Sequence, residues 1–131
     1  KMNRVASTAA ALVIATVAQS AAAETFGAIA YSIQSDKYGR SWNLDSRKAA
    51  ESSALKFCKA AGGKGCKVGV WLEDSCGALA ASETSKSMKQ TGISYGFKTA
   101  SASHARALAE CEARDGAGTC QVKASVCSNG K

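Results

Sequence analysis

Apolar and polar positions along this chain fall into blocks that come round twice. Phe26 to Ile33 is a run of small and apolar residues that closes on Gln34, Ser35, Asp36 and Lys37, the pattern of a strand running into a loop. A second short strand is expected from Ser41 to Leu44. Asp45 or Ser46 then offers a side-chain oxygen to the unpaired amides of a first helical turn. From there Ala50, Ala54, Leu55, Cys58 and Ala61 recur at helical spacing, with Lys48, Ser52, Lys56 and Lys59 on the other side. That predicts an amphipathic helix packing by an alanine-rich face. Gly62 and Gly63 stop it, Lys67 to Leu72 reads as a further strand, and Glu73, Asp74 and Ser75 as a turn.

The plan then returns as Ala78 to Ser82, a polar Ser/Thr/Lys loop, Ser94 to Phe97, a helix over about Thr99 to Arg114, and Gln121 to Val126. Individual residues return with it. Gly27-Ala28-Ile29-Ala30 reappears as Gly77-Ala78-Leu79-Ala80, Gly39-Arg40-Ser41-Trp42 as Gly92-Ile93-Ser94-Tyr95, and Ala54-Leu55 as Ala107-Leu108. Self-similarity of this kind marks supersecondary units that bury their apolar faces on one another. The expected fold is α+β: two tandem strand-strand-helix-strand repeats, about 26–76 and 77–127, forming one antiparallel or mixed sheet with both helices on one face and related by a pseudo-twofold. Trp42 is expected in the core, because Tyr95 stands at its matching place.

The chain has six cysteines, Cys58, Cys66, Cys76, Cys111, Cys120 and Cys127. An even set in an exported chain points to disulfides formed in an oxidising compartment. If matching positions are used alike, Cys58 pairs with Cys66 and Cys111 with Cys120, which leaves Cys76 to join Cys127 across the halves. Zinc is the competing use, but no Cys-x-x-Cys occurs and His104 is the only histidine, so no metal is expected.

Export is read from the first residues. Arg4 supplies a positive start, Ala9 to Ala18 an apolar stretch and Ala21-Ala22-Ala23 a small-residue cleavage site, so residues 1–23 are expected to be a signal peptide and residues 24–131 a single mature domain. Ser7, Thr8, Thr16, Gln19 and Ser20 crowd that stretch and leave it short for a membrane span, so none is expected after cleavage. The formal net charge is +7, and Lys1 and Arg4 are the two basic residues that would leave with the signal. The remaining excess of lysine and arginine suits an acidic partner.

In combination, the Gly-Ala-[Ile/Leu]-Ala opening, Gly-x-Ser-aromatic, Ala-Leu-x-x-Cys, a short Gly-rich loop, Cys-x-Val and a closing cysteine resemble the bacterial secreted family catalogued as domain of unknown function 4189. The elements are Gly27 to Ala30, Gly39 to Trp42, Ala54 to Cys58, Gly62 to Val68 and Cys76, and again Gly77 to Ala80, Gly92 to Tyr95, Ala107 to Cys111, Gly116 to Val122 and Cys127. The resemblance implies export, disulfides and a duplicated fold. It carries no catalytic residue, and Ala81 in place of Tyr31 departs from a symmetric aromatic surface.

Candidate chemistry is sparse. Gly92-Ile93-Ser94-Tyr95-Gly96 fits a nucleophile-elbow pattern, but such an elbow needs an acid and a histidine from a larger sheet, and Gly39-Arg40-Ser41-Trp42-Asn43 repeats it without the last glycine. A structural turn is expected there. His104 aligns with Glu51, and Glu51, Glu73, Asp74 and Glu83 show no spacing that singles out an acid and base pair. Gly62-Gly63-Lys64-Gly65 follows a helix C-terminus, where the dipole opposes an anion. Two surface features remain as candidate binding residues. One is the basic cluster Lys56, Lys59, Lys64 and Lys67, a solvated face or a patch for an anionic polymer. The other is Tyr38 with Arg40, residue types favoured at interface hot spots. The expected function is a periplasmic or secreted, non-enzymatic, monomeric binding module of inhibitor, immunity-type or host-directed kind. It would need no cofactor and take an unknown protein or an anionic envelope polymer as partner, with no specific nucleic acid. The alternative is a small envelope hydrolase using Ser94 with His104 or a carboxylate pair.

Overall fold

The computed structural model describes residues 9–14, 24–116 and 118–131. The expected signal peptide lies outside the described residues except for 9–14, which carry no helix or strand. Eight principal elements follow: β1 Phe26–Ser32, β2 Lys37–Leu44, α1 Arg47–Ala60, β3 Lys67–Glu73, β4 Cys76–Ala81, β5 Gly92–Phe97, α2 Ala100–Asp115 and β6 Gln121–Cys127. A short 3-10 turn over Met88–Gln90 precedes β5. Ser46 caps α1 by accepting from the Ala49 amide at 3.1 Å, and Thr99 caps α2 by accepting from Ala102 at 3.2 Å. β2 starts four residues before the expected Ser41, and α1 stops at Ala60, so Ala61 lies outside it.

The strands form two antiparallel sheets, ordered β2-β1-β3 and β5-β4-β6. The α+β class and the three disulfides are as expected, but the single sheet is not: there are two, each with its own helix. The reason lies in the central strands. Ala28 and Ala30 of β1 pack with Ala50, Ala54 and Cys58 of α1, while Ile29 and Tyr31 point the other way. In β4, Ala78 and Ala80 pack with Ala107 and Cys111 of α2, while Leu79 and Ala81 point away from that helix. The inward-facing Ile29, Tyr31, Val70, Leu72, Leu79, Ala81, Ala124 and Val126 share one core, so the sheets lie face to face with a helix outside each. Small residues let a helix sit close on one face, and larger ones fill the space between sheets.

The disulfides are Cys58–Cys66, Cys111–Cys120 and Cys76–Cys127. The first two tie a helix to the loop before the next strand. The third does not link the halves as expected, because Cys76 opens β4 and Cys127 closes β6, and they face each other in the second sheet. The sheets are instead bridged by the common core, by the Lys123–Asp36 ion pair and by the Asn43 amide, which donates to the Ser128 carbonyl at 2.7 Å.

Candidate functional site

At one end of the sandwich, loops from both sheets surround a cleft of about 510 Å³. Lys64 comes from the loop closed by Cys58–Cys66, Lys67 from the first residue of β3, and Lys86 from the loop after β4. Ser32 and Ser35 fasten the Lys64 loop: the Ser32 hydroxyl donates to the Lys64 carbonyl at 2.5 Å, and the Lys64 amide donates to the Ser35 hydroxyl at 3.0 Å. Across the cleft the Lys86 amide donates to Gln90 Oε1, and the Ser85 hydroxyl donates to the Gln90 carbonyl. Glu83 is the acid on this lining. Beneath it Tyr31 donates to Asp36 at 2.5 Å. Burial first, then the Asp36 hydrogen bond and charge, push the Tyr31 hydroxyl far above its usual range, so it stays a donor. Asp36 is held below the usual carboxylate range, chiefly by that hydrogen bond and then by Lys123.

Of the four lysines singled out in the sequence, Lys64 and Lys67 meet in this cleft, whereas Lys56 and Lys59 lie on the solvent face of α1 and do not line it. Lys86 was missed. It sits in a polar loop with no local pattern, and only the packing of the two sheets carries it to Lys64.

Tyr38 and Arg40 are exposed on β2, alternating with buried Gly39 and Ser41. Trp42 completes the row and is 46% exposed, which corrects its expected place in the core. β2 is a sheet edge whose helix-side positions belong to Gly39 and Ser41 beneath α1, so the larger residues take the other face, at the open margin between the sheets. The Arg40 guanidinium lies 5.9 Å from the centroids of both the Tyr38 and Trp42 rings, and Nη1 donates to the Ser125 carbonyl at 3.0 Å.

The elbow serine has a different occupation. Ser94 is 2% exposed; its hydroxyl donates to the Ser103 carbonyl at 2.7 Å and accepts from the Ala78 amide at 3.0 Å. Ser41 likewise donates to Ala50 at 2.7 Å. Ser94→Ala should therefore cost about 1–3 kcal/mol, because it leaves the buried Ala78 amide without its acceptor and removes the tie to α2; an unchanged urea midpoint would contradict that role. His104 is half-buried with Nε2 enclosed and unpartnered, and it makes no hydrogen bond to Ser94. Glu51 is paired with Arg47 at 2.6 Å. Glu73 is exposed and held above the usual carboxylate range, first by its hydrogen bond to Glu24 and then by burial and the charges of Glu24 and Asp74. Among the described residues, no group of three or more His, Cys, Asp and Glu side chains is placed to hold a metal ion, and no helix is long and apolar enough to cross a membrane.

The family model described as "Domain of unknown function (DUF4189)" matches residues 26–127, from the first residue of β1 to the last of β6. The chain belongs to this family. Among curated proteins it is similar to Protein Mb1300c of Mycobacterium bovis and to Protein Rv1269c and Protein MT1307 of two Mycobacterium tuberculosis strains. Each is 45% identical over 62 residues, a stretch covering 47% of this chain and 46% of the relative. The chain thus spans about half the length of the curated relatives it matches. No solved structure matches. In this DUF4189 chain the Gly-x-Ser pairs serve helix packing, and the family match spans both halves of the cationic cleft.

Proposed function

We propose that the protein is an exported, non-enzymatic binding module that holds an anionic polymer of the cell envelope in the cleft of Lys64, Lys67 and Lys86. The observation that carries this reading is that three lysines, Lys64 and Lys67 from the first sheet's side and Lys86 from the second's, line one cleft with a single acid. Such a cleft attracts closely spaced anionic groups and raises their local concentration. The cystine and the Ser32 and Ser35 clamps fix the Lys64 loop beforehand, so little ordering entropy is lost on binding. Tyr31 lies below the rim with its hydroxyl committed to Asp36, and the lining offers no stacked aromatic platform of the kind that holds nucleic-acid bases. Polygalacturonate, a carboxylated polysaccharide, is the probe. Its affinity should fall as salt rises and should drop at least about tenfold in Lys64→Glu and in Lys86→Glu. Lys56→Glu and Lys59→Glu, on the helix face, should change it little. Equal binding of uncharged dextran, equal loss in the helix variants, or shortening of the probe chains would overturn the reading.

A further inference from the structure

The two sheets leave a second cleft, of about 450 Å³, between β3 and β5, lined by Gly69, Val70, Trp71, Glu73, Ile93 and Tyr95. It has a counterpart between β6 and β2, and the pairing registers show that the two are built from matching positions. Ile93 faces Leu79 as Arg40 faces Ile29, Trp71 faces Ala28 as Ser125 faces Ala78, and Glu73 faces Phe26 as Cys127 faces Cys76. Tyr95 follows Ser94 as Trp42 follows Ser41, and Gly96 (φ 79°) and Asn43 (φ 55°) take the same left-handed turn.

The matching clefts differ in what fills them. In the β2/β6 cleft, Arg40 lies against Tyr38 and Trp42 and reaches the Ser125 carbonyl, Gly130 packs on the Trp42 ring, and the Ser128 carbonyl accepts from the Asn43 amide. In the β3/β5 cleft the arginine position is Ile93, and the chain turns away after Glu73 through Asp74 and Ser75 into β4. Tyr95 is left 68% exposed, no cation among the described residues lies over its ring, and no backbone bond from Gly96 to Asp74 matches the one from Asn43 to Ser128. Arg47 of α1 lies 4.3 Å over the Trp71 ring, so that indole is held on the helix side of the β3 edge that borders the cleft. At the rim, Glu73 is crowded by Glu24 and Asp74.

We propose that this open cleft receives an extended segment of a partner protein that lays an arginine on Tyr95 along the β3 edge, with its guanidinium at Glu73 and a backbone carbonyl on the Gly96 amide. The occupant's chemistry is that of the chain's own filling in the matching cleft, where an arginine lies between aromatic rings and an irregular segment supplies the carbonyl. The apolar floor of Val70 and Ile93 suits the arginine stem, and the guanidinium relieves the crowding of like charges around Glu73. This site is separate from the lysine cleft and has the opposite charge preference.

The test is NMR titration of the oxidised protein with a short capped glycine-serine peptide carrying one central arginine, beside the same peptide carrying glutamate. The arginine peptide should shift the Trp71 indole and the Tyr95 and Gly96 amides with a dissociation constant on the order of millimolar, and the glutamate peptide should not. Tyr95→Ala and Glu73→Lys, both at exposed positions, should each weaken the response roughly fivefold, while Lys64→Glu should leave it intact. Shifts centred on Trp42, an equal response to glutamate, or the same shifts from raising the protein concentration without peptide would overturn the proposal, the last by making a second copy the occupant.

Discussion

Replacing both Cys76 and Cys127 by alanine is expected to destabilise the protein by about 4 kcal/mol, the largest loss from any one of its three cystines. Closing a chain loop removes entropy from the unfolded state in proportion to the logarithm of its length, and the sequence separation here is 51 residues against 8 and 9 for the other two. The short loops should contribute roughly 2.5 kcal/mol each. For a domain of this size, 4 kcal/mol lowers the melting temperature by on the order of 20 °C. Position adds to length. Cys76 and Cys127 are the first and last residues of the second sheet and face each other in its β4/β6 ladder, so the bond fences in β4, β5, α2 and β6 together. The first sheet carries Phe26 and Glu73 at the matching pair and has no such fence. Melting of the oxidised Cys76→Ala/Cys127→Ala protein beside Cys58→Ala/Cys66→Ala checks the ranking; an equal or larger loss in the short-loop variant would refute it.

That pairing also shows how far the sequence could be read. The self-matching of the chain placed all six cysteines with the right partners and most elements within a few residues. It misjudged what Cys76 belongs to, because in the sequence that residue ends one block, whereas in space it starts β4. The sheet count was legible in principle. In Ala28-Ile29-Ala30-Tyr31 and Ala78-Leu79-Ala80-Ala81, apolar residues stand at every position, with small and larger in turn as far as Ala80, which signals a strand covered on both faces by unlike layers. A single sheet with helices on one face would leave Ile29 and Leu79 to solvent. Trp42 went astray for the opposite reason, since nothing local tells an edge strand from a central one and the burial of Gly39 and Ser41 depends on where α1 settles. The cationic cleft was half legible: Lys64 and Lys67 are neighbours along the chain, whereas Lys86 joins them only through the packing of one sheet on the other.

The Gly-x-Ser pairs give the second large effect. Gly92→Ala is expected to cost about 3 kcal/mol, at the upper end of ordinary overpacking. A Cβ built on Gly92 would overlap the Ala107 carbonyl oxygen and the Cys111 amide nitrogen of α2, and one built on Gly39 would overlap the Ala54 carbonyl oxygen and the Cys58 amide nitrogen of α1. These are main-chain atoms in the middle of a helix, so no rotamer change makes room, and the helix as a whole must retreat from the sheet. Retreat opens the close contacts of Ala107 and Cys111 with Ala78 and Ala80, which consist of small side chains with no length to spare. Two residues on, the Ser94 hydroxyl reaches the Ser103 carbonyl of the same helix, so glycine and serine together hold α2 at one distance from β5, as Gly39 and Ser41 hold α1 at β2. Gly92→Ala and Gly39→Ala should therefore lower the urea midpoint by similar amounts, each by more than Ser94→Ala does. A change within about 0.5 kcal/mol, the range of a neutral surface substitution, would mean that the glycine is not needed for packing and would return the motif to the list of candidate catalytic turns.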